Sequence, residues 1–547
     1  MIPIKILCSC GQKYAFDIEP DDGRISQAVQ CPVCGTDGTT AANQLIAQHL
    51  AANSAPASGL RIGGQQHPAT VPLPPRNLTA AARDGNFSGM KVRNKWFIPG
   101  LGAAVVSVLA FVGAVMFGRS PERKYESAMP STEGMDGLPQ TLAELNAWYV
   151  EPPSGQNAAT FYSQGFDALQ IPNVHSSNLP LLGKGQLPPL GNPMPAPMKS
   201  ALAALVKSNR DALQWFAEGA KFNHCRYPVD LTLGYDALFP HSRKLDIASA
   251  LLELSAIYHA EANQAEQAAS DVLNCLALAN SLAAEPAVLS QLPRTWSVAY
   301  ALAALEQTVN RTALPAGVSS ELSKVFKKME RCEARGEGFS RAMIGEHALS
   351  LAALADPKQL LRGMAAPDLR MAADRRSEIT ARLQSGAKLT AEREYLDTAF
   401  RRLMAARQAP FPDRLKSDEL GRQLVAEAAS KKLVVLDLLL PSLGRRTTAE
   451  AECLARLRLG WTAVALEQFR AAHSNRYPST LSELTPEYLS TTPADPFNGQ
   501  PLRYQKKGIG YALYSIGSDL KDDSGERKNG KNGDIVFTVV TPARSGL

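Results

Sequence analysis

Between Lys199 and about Ser474, leucines, alanines and aromatics recur every three to four positions, the spacing of an amphipathic helix. The pattern predicts helices over Lys199–Lys221, Ser242–Asn263, Ala265–Leu282, Ala287–Val309, Ser319–Arg331 and Gly338–Ala355. It continues over Ala391–Arg407, Ser417–Leu440 and Thr447–Ser474, and the short connections imply antiparallel neighbours. Shorter helices are expected over Leu142–Val150 and Thr160–Leu169, inside a stretch rich in Pro and Gly. Alternation replaces helical spacing near both ends. Lys5–Leu7, Lys13–Ile18 and Ala28–Gln30 read as strands, as do Leu502–Tyr504 and Tyr511–Tyr514, the latter two joined by a Lys/Gly loop.

One run has neither period. Residues 96–118 hold 23 positions without a charge, enough at about 1.5 Å per residue to cross a hydrocarbon core of roughly 30 Å. A signal peptide would lie nearer the start of the chain, and a buried core helix is seldom uncharged for so long. The expectation is therefore a single membrane pass. Arg83, Lys91, Arg93 and Lys95 on one side, against Arg119, Arg123 and Lys124 on the other, place the N-terminus in the cytoplasm. Ala110, Ala114 and Gly118 form a small-residue stripe through which the helix could pair.

Composition adds little beyond a chain able to build more than one core, being 45% hydrophobic and 20% charged. The net charge of +6 is spread without a basic block, so neither nucleic acid nor an acidic membrane surface is implied as a partner. Residues 41–95, rich in Ala, Gly, Pro and Gln, read as a flexible linker.

Cysteine spacing changes the picture at the N-terminus. Cys8-Ser9-Cys10-Gly11 and Cys31-Pro32-Val33-Cys34-Gly35 form two knuckles about twenty residues apart, and the glycines permit turns that aim thiolates at one tetrahedral ion. Disulfides are the alternative; a reducing cytoplasm favours zinc. Residues 1–40 resemble the short zinc ribbons found at the start of many bacterial proteins. The segment is net acidic, which leaves a protein-docking module or a structural cap as its role.

The tail carries the most specific signal. Ser479-Thr480 with Glu483 is a capping box, Asp495-Pro496-Phe497-Asn498-Gly499 a turn, and Ser515, Asp519, Asp522, Asp523 and Asp534 cluster oxygen donors of the type calcium selects. A solvated acidic loop holding no ion is the alternative. Asn475–Pro478, the string Asp495–Tyr504, Tyr514–Asp519 and Asp534-Ile535 resemble the globular end of the major pseudopilin of type II secretion systems. That resemblance covers roughly the last 85 residues. It implies a calcium-stapled loop, with Asp519 and Asp534 as leading ligands and Ser515, Asp522 and Asp523 beside them. Leu520, where that family has glycine, and the rewritten Glu526–Gly533 loop depart from its pattern.

Catalytic signals are sparse. His224, Cys225, His241 and His259 match no ligand spacing, Glu346-His347 lacks a second zinc-binding histidine, and no phosphate loop or serine elbow occurs. Residues 250–282 loosely resemble a tetratricopeptide unit, without its repeat period.

The expected fold is multidomain and mainly α. Its parts are a zinc ribbon (1–40), a linker (41–95), one transmembrane helix (96–118), a Pro/Gly-rich linker with short helices (119–198), an α-helical repeat-like domain (199–446) and a small α+β pseudopilin-like module (447–547). The expected function is a non-enzymatic, single-pass scaffold or docking protein of the bacterial inner membrane, with its C-terminal domains extracytoplasmic. Zinc and calcium would be bound, and protein partners would come from a secretion or pilus-like machine. Two alternatives are a transmembrane sensor relaying through the ribbon, and a hydrolase in which His224, His241 or Glu346 converge.

Overall fold

The computed structural model describes residues 2–7, 13–18, 29, 39, 137–172, 178–356, 373–443, 446–527 and 533–540. The chain divides into two units, Met1–Pro121 and Glu122–Leu547. In the first, β1 (Ile2–Leu7) and β2 (Lys13–Ile18) pair antiparallel, with Ile2, Ile4 and Ile6 opposite Ile18, Phe16 and Tyr14.

The second unit begins with α1 (Leu142–Trp148), started by a capping box in which Thr141 and Glu144 bond each other's backbone N–H groups. Helix α2 (Ala158–Asp167) follows, capped by the Asn157 side chain. The periodic run predicted as a single helix over 199–221 is divided into α3 (Ala196–Ser208) and α4 (Arg210–Gly219). Asn209 divides them: its buried side chain bonds both the N–H and the C=O of Gln170, as a neighbouring strand would.

Three long helices form the first core: α5 (Pro240–Glu261), α6 (Ala265–Asn280) and α7 (Val288–Val309). Ala248, Ala256, Ala268, Ala269, Ala301 and Ala304 are fully buried, and these small side chains let the three backbones approach closely. Helix α14 (Thr447–Ala472) packs beside α7, and α8 (Ala316–Ala334) packs against α14 and α6. At Gly460 of α14 the approach is so close that a Cβ would sit 2.3 Å from the Phe326 ring.

A second core gathers α9 (Glu337–Ala355), α10 (Ala373–Leu383), α11 (Gly386–Arg407), α12 (Lys416–Ser430) and α13 (Leu436–Leu443) around Phe400, Leu403, Val435 and Leu440. Here too a periodic run, 417–440, is broken. Lys432 has a φ of +57°, which ends α12 and turns Val434–Leu436 into the core.

Beyond α14 come β3 (Arg503–Lys507), β4 (Gly510–Ser515) and β5 (Ile535–Val539), an antiparallel sheet in the order β3-β4-β5. Strand β4 is buried throughout, and β5 lies against α7 and α14, so the tail is built into the helical body. Strand β3 is an edge, and Arg503, Lys506 and Lys507 place like charges along it that would face each other if two copies paired there. Replacing Lys506 and Lys507 by Val and Thr is expected to increase concentration-dependent self-association in light scattering. Unchanged scattering would show that these lysines do not guard the edge.

Two expectations are corrected. Among the described residues no helix is long and apolar enough to cross a membrane, so the single-pass inner-membrane arrangement has no support. The longest helices instead carry charges fixed inside the body, such as Arg294 and Glu306 on α7 and Glu450 and Glu467 on α14. The run 96–118 and the linker 41–95 lie outside the described residues. Likewise, against the expected metal-binding description, no group of three or more His, Cys, Asp or Glu side chains among the described residues is placed to hold a metal. What stands is a mainly helical protein with a small three-stranded sheet.

Candidate functional site

The sequence-predicted metal residues fall into two groups. Cys8, Cys10, Cys31 and Cys34 lie outside the described residues. The tail carboxylates are described, and the chain's own donors occupy those of Asp519, Asp522 and Asp534. Asp519 accepts from the Lys521 N–H at 3.1 Å. Asp522 takes the Ser524 N–H, the Tyr514 hydroxyl and Arg503. Asp534 accepts from the N–H groups of Asp523 and Gly525 at 3.3 and 2.8 Å. The Ser515 hydroxyl points elsewhere, donating to Asp495. These oxygens close turns and are not gathered around a shared centre. Burial and the Asp522 carboxylate push the Tyr514 phenol up to about 12, so it remains a donor to Asp522 at neutral pH.

The histidines are also dispersed. His259 pairs with Asp271 at 2.7 Å, and His347 pairs with Asp397 at 2.8 Å while stacking on Phe400. His224 contributes its backbone, accepting from the Ala158 N–H beside the cap of α2. Glu346 accepts from the Tyr235 hydroxyl.

Among the described histidines only His241 enters a larger polar cluster, and its centre is a residue the sequence did not single out. Glu285, in the turn between α6 and α7, is fully buried. Its carboxylate accepts from His241 Nε2 at 3.1 Å, from the Tyr149 hydroxyl at 3.3 Å and from the Ser290 hydroxyl. Tyr227 stacks on His241 with ring centroids 4.0 Å apart, and its hydroxyl pairs with Ser281 at 2.9 Å. Cys225 sits beside these groups; burial, then the Glu285 charge, push its thiol well up. Burial and Glu285 likewise raise the Tyr149 phenol. A sequence signal for Glu285 existed: a lone carboxylate inside the apolar string Leu282–Val288 has to find donors when buried.

The order of this cluster decides its chemistry. An activated serine donates to an imidazole that a carboxylate orients. Here the Ser290 hydroxyl and the His241 imidazole both donate to one carboxylate, so the hydroxyl faces Glu285 and not the imidazole. A nucleophilic cysteine needs a depressed pKa, and Cys225 has the opposite. Glu285 works as a tie between α1, α5 and α7.

The surface over this tie is unusual. Of eight large hydrophobic side chains exposed among the described residues, five lie in its neighbourhood: Val150, Leu233, Tyr235, Leu238 and Leu289. Leu238 is 77% exposed and Leu289 60%. The segment carrying three of them is held in place. Asp230 caps the short turn Leu231–Asp236, the Leu231 N–H donates to Asn146, and the Tyr235 hydroxyl bonds Glu346 and Ser350 on α9. Gly345, next to Glu346, lies against the Pro286 carbonyl, which brings the start of α7 and Leu289 to the same corner.

No family model, curated protein or solved structure matches the chain.

Proposed function

We propose that the Glu122–Leu547 unit is a non-enzymatic docking scaffold, and that the corner formed by Val150, Leu233, Tyr235, Leu238 and Leu289 receives a protein partner. The concentration of exposed apolar side chains at one corner carries this reading. Their fixed presentation supports it, because a surface already ordered loses little conformational entropy on binding. The closed geometry around Glu285 and the raised Cys225 thiol favour it over hydrolysis. The resemblance of the tail to the major pseudopilin extends the proposal to the kind of partner, a component of a secretion or pilus-like assembly.

The test is the double variant Leu233→Asp, Leu238→Asp. Burying one leucine contributes about 1.5–3 kcal/mol, so affinity for a partner purified on the unaltered chain should fall at least about tenfold. The melting temperature should hold, since both side chains face solvent. An unchanged affinity would exclude this corner as the docking surface.

A further inference from the structure

The sheet has two edges, and α7 closes one of them. Asn310, the residue that caps the end of α7, donates from Nδ2 to the Thr538 carbonyl and accepts the Val540 N–H, each at 2.8 Å. One turn earlier Glu306 accepts the Thr538 N–H at 2.6 Å. Two side chains four residues apart on a helix thus pair with the outer edge of β5 as another strand would. Glu306 is only 3% exposed, and an unpaired carboxylate at that depth is costly. Its countercharge comes from Arg527, whose Nη2 donates to both Glu306 oxygens and to the Val536 carbonyl.

We infer that Arg527 is a releasable strap, a cation supplied by the tail's own acidic loop that locks β5 onto α7. The asymmetry of the pair carries the argument. Glu306 is fixed and buried on a core helix, whereas Arg527 is 54% exposed on a loop, so Arg527 is the member that can withdraw. Withdrawal leaves Glu306 buried with the Thr538 N–H and no opposing charge. The α7–β5 seam then opens while the helical body, held by other contacts, stays folded. The loop that resembles a calcium-binding one is tied down by an internal guanidinium.

Hydrogen exchange on the full chain tests this, read on peptides spanning 534–540 and, as control, 245–260. Arg527→Ala should raise exchange in 534–540 about tenfold and leave the control unchanged. The same substitution made on top of Glu306→Gln should add little, because the charge it answers is gone. Arg527→Lys, which keeps a cation, should restore most of the protection. Equal increments in the two backgrounds, or no increment in either, would overturn the strap. So would a rise in the control peptide, which would mean that Arg527 supports the whole body.

Discussion

Replacing Glu450 by Ala is expected to lower the stability of the helical body by about 3–5 kcal/mol, the usual cost of removing one member of a buried charge cluster. Glu450 is fully buried near the start of α14 and accepts from Arg407 Nη2 at 2.6 Å and Arg414 Nη1 at 2.9 Å. Arg414 also donates to the carbonyls of Ala334 and Ala409, and its guanidinium lies over the Phe411 ring. The carboxylate therefore joins α14 to the end of α11 and to the Asp413–Leu415 turn, and through Arg414 to the end of α8. Arg294 and Glu333, paired at 2.7 Å, sit in the same charge field. Without Glu450, two guanidinium groups remain buried with no carboxylate between them. Burial already pulls the Arg414 pKa below its ordinary value. The urea midpoint is the measurement. The triple change Glu450→Leu, Arg407→Met, Arg414→Met should cost less than Glu450→Ala alone, because it removes the stranded charges together with their partner. A single variant within about 1 kcal/mol of the unaltered protein would mean that water reaches the cluster.

The charge cluster also marks where sequence reasoning runs out. Helical spacing placed α5 to α9 because each must hide an apolar stripe, and that demand is local. The breaks at Asn209 and Lys432 are not local. Asn209 answers a backbone 39 residues away, and the chain reverses at Lys432 so that Val434–Leu436 can join a core assembled from α9 and α11. Periodicity sees only the continuous stripe. The same holds for the candidate sites. Acidic residues at Asp519, Asp522, Asp523 and Asp534 have a ligand-like composition, but composition does not say where their donors are. Lys521, Ser524, Arg503 and Gly525 reach oxygens of Asp519, Asp522 and Asp534 first. Glu285 and Glu306 were legible only as carboxylates in apolar strings, a pattern that signals burial without naming a partner. Strand β5 was missed because its alternation is weak and its outer edge is matched by side chains of α7.

The second large effect is expected at Asp495, the first residue of the Asp-Pro-Phe-Asn-Gly turn. Its carboxylate is fully buried and accepts three bonds, from the Phe497 N–H at 3.0 Å, the Ser515 hydroxyl at 2.9 Å and the Ile516 N–H at 2.9 Å. The first shapes the turn; the other two fasten the turn to the end of β4. Gly499 completes the turn with a φ of +74° and a bond from its N–H to the Asp495 carbonyl. Phe497 and Ile516 then pack on Ala451 and Ala455, and Arg458 donates to the Ala494 carbonyl, so this carboxylate adds a fixed link between the sheet and α14 to their direct packing. Asp495→Ala leaves three buried donors unanswered at about 1–3 kcal/mol each before relaxation, and a net loss of about 2–4 kcal/mol is expected. Asp495→Asn keeps one acceptor oxygen but turns an NH2 toward a donor, so its loss should be intermediate. Thermal melts rank the two variants, and hydrogen exchange at Ile516 reports the local bond. If Asn proved as damaging as Ala, the negative charge would matter more than the count of accepted bonds. The turn would then act on the sheet electrostatically, and not as a fitted clasp.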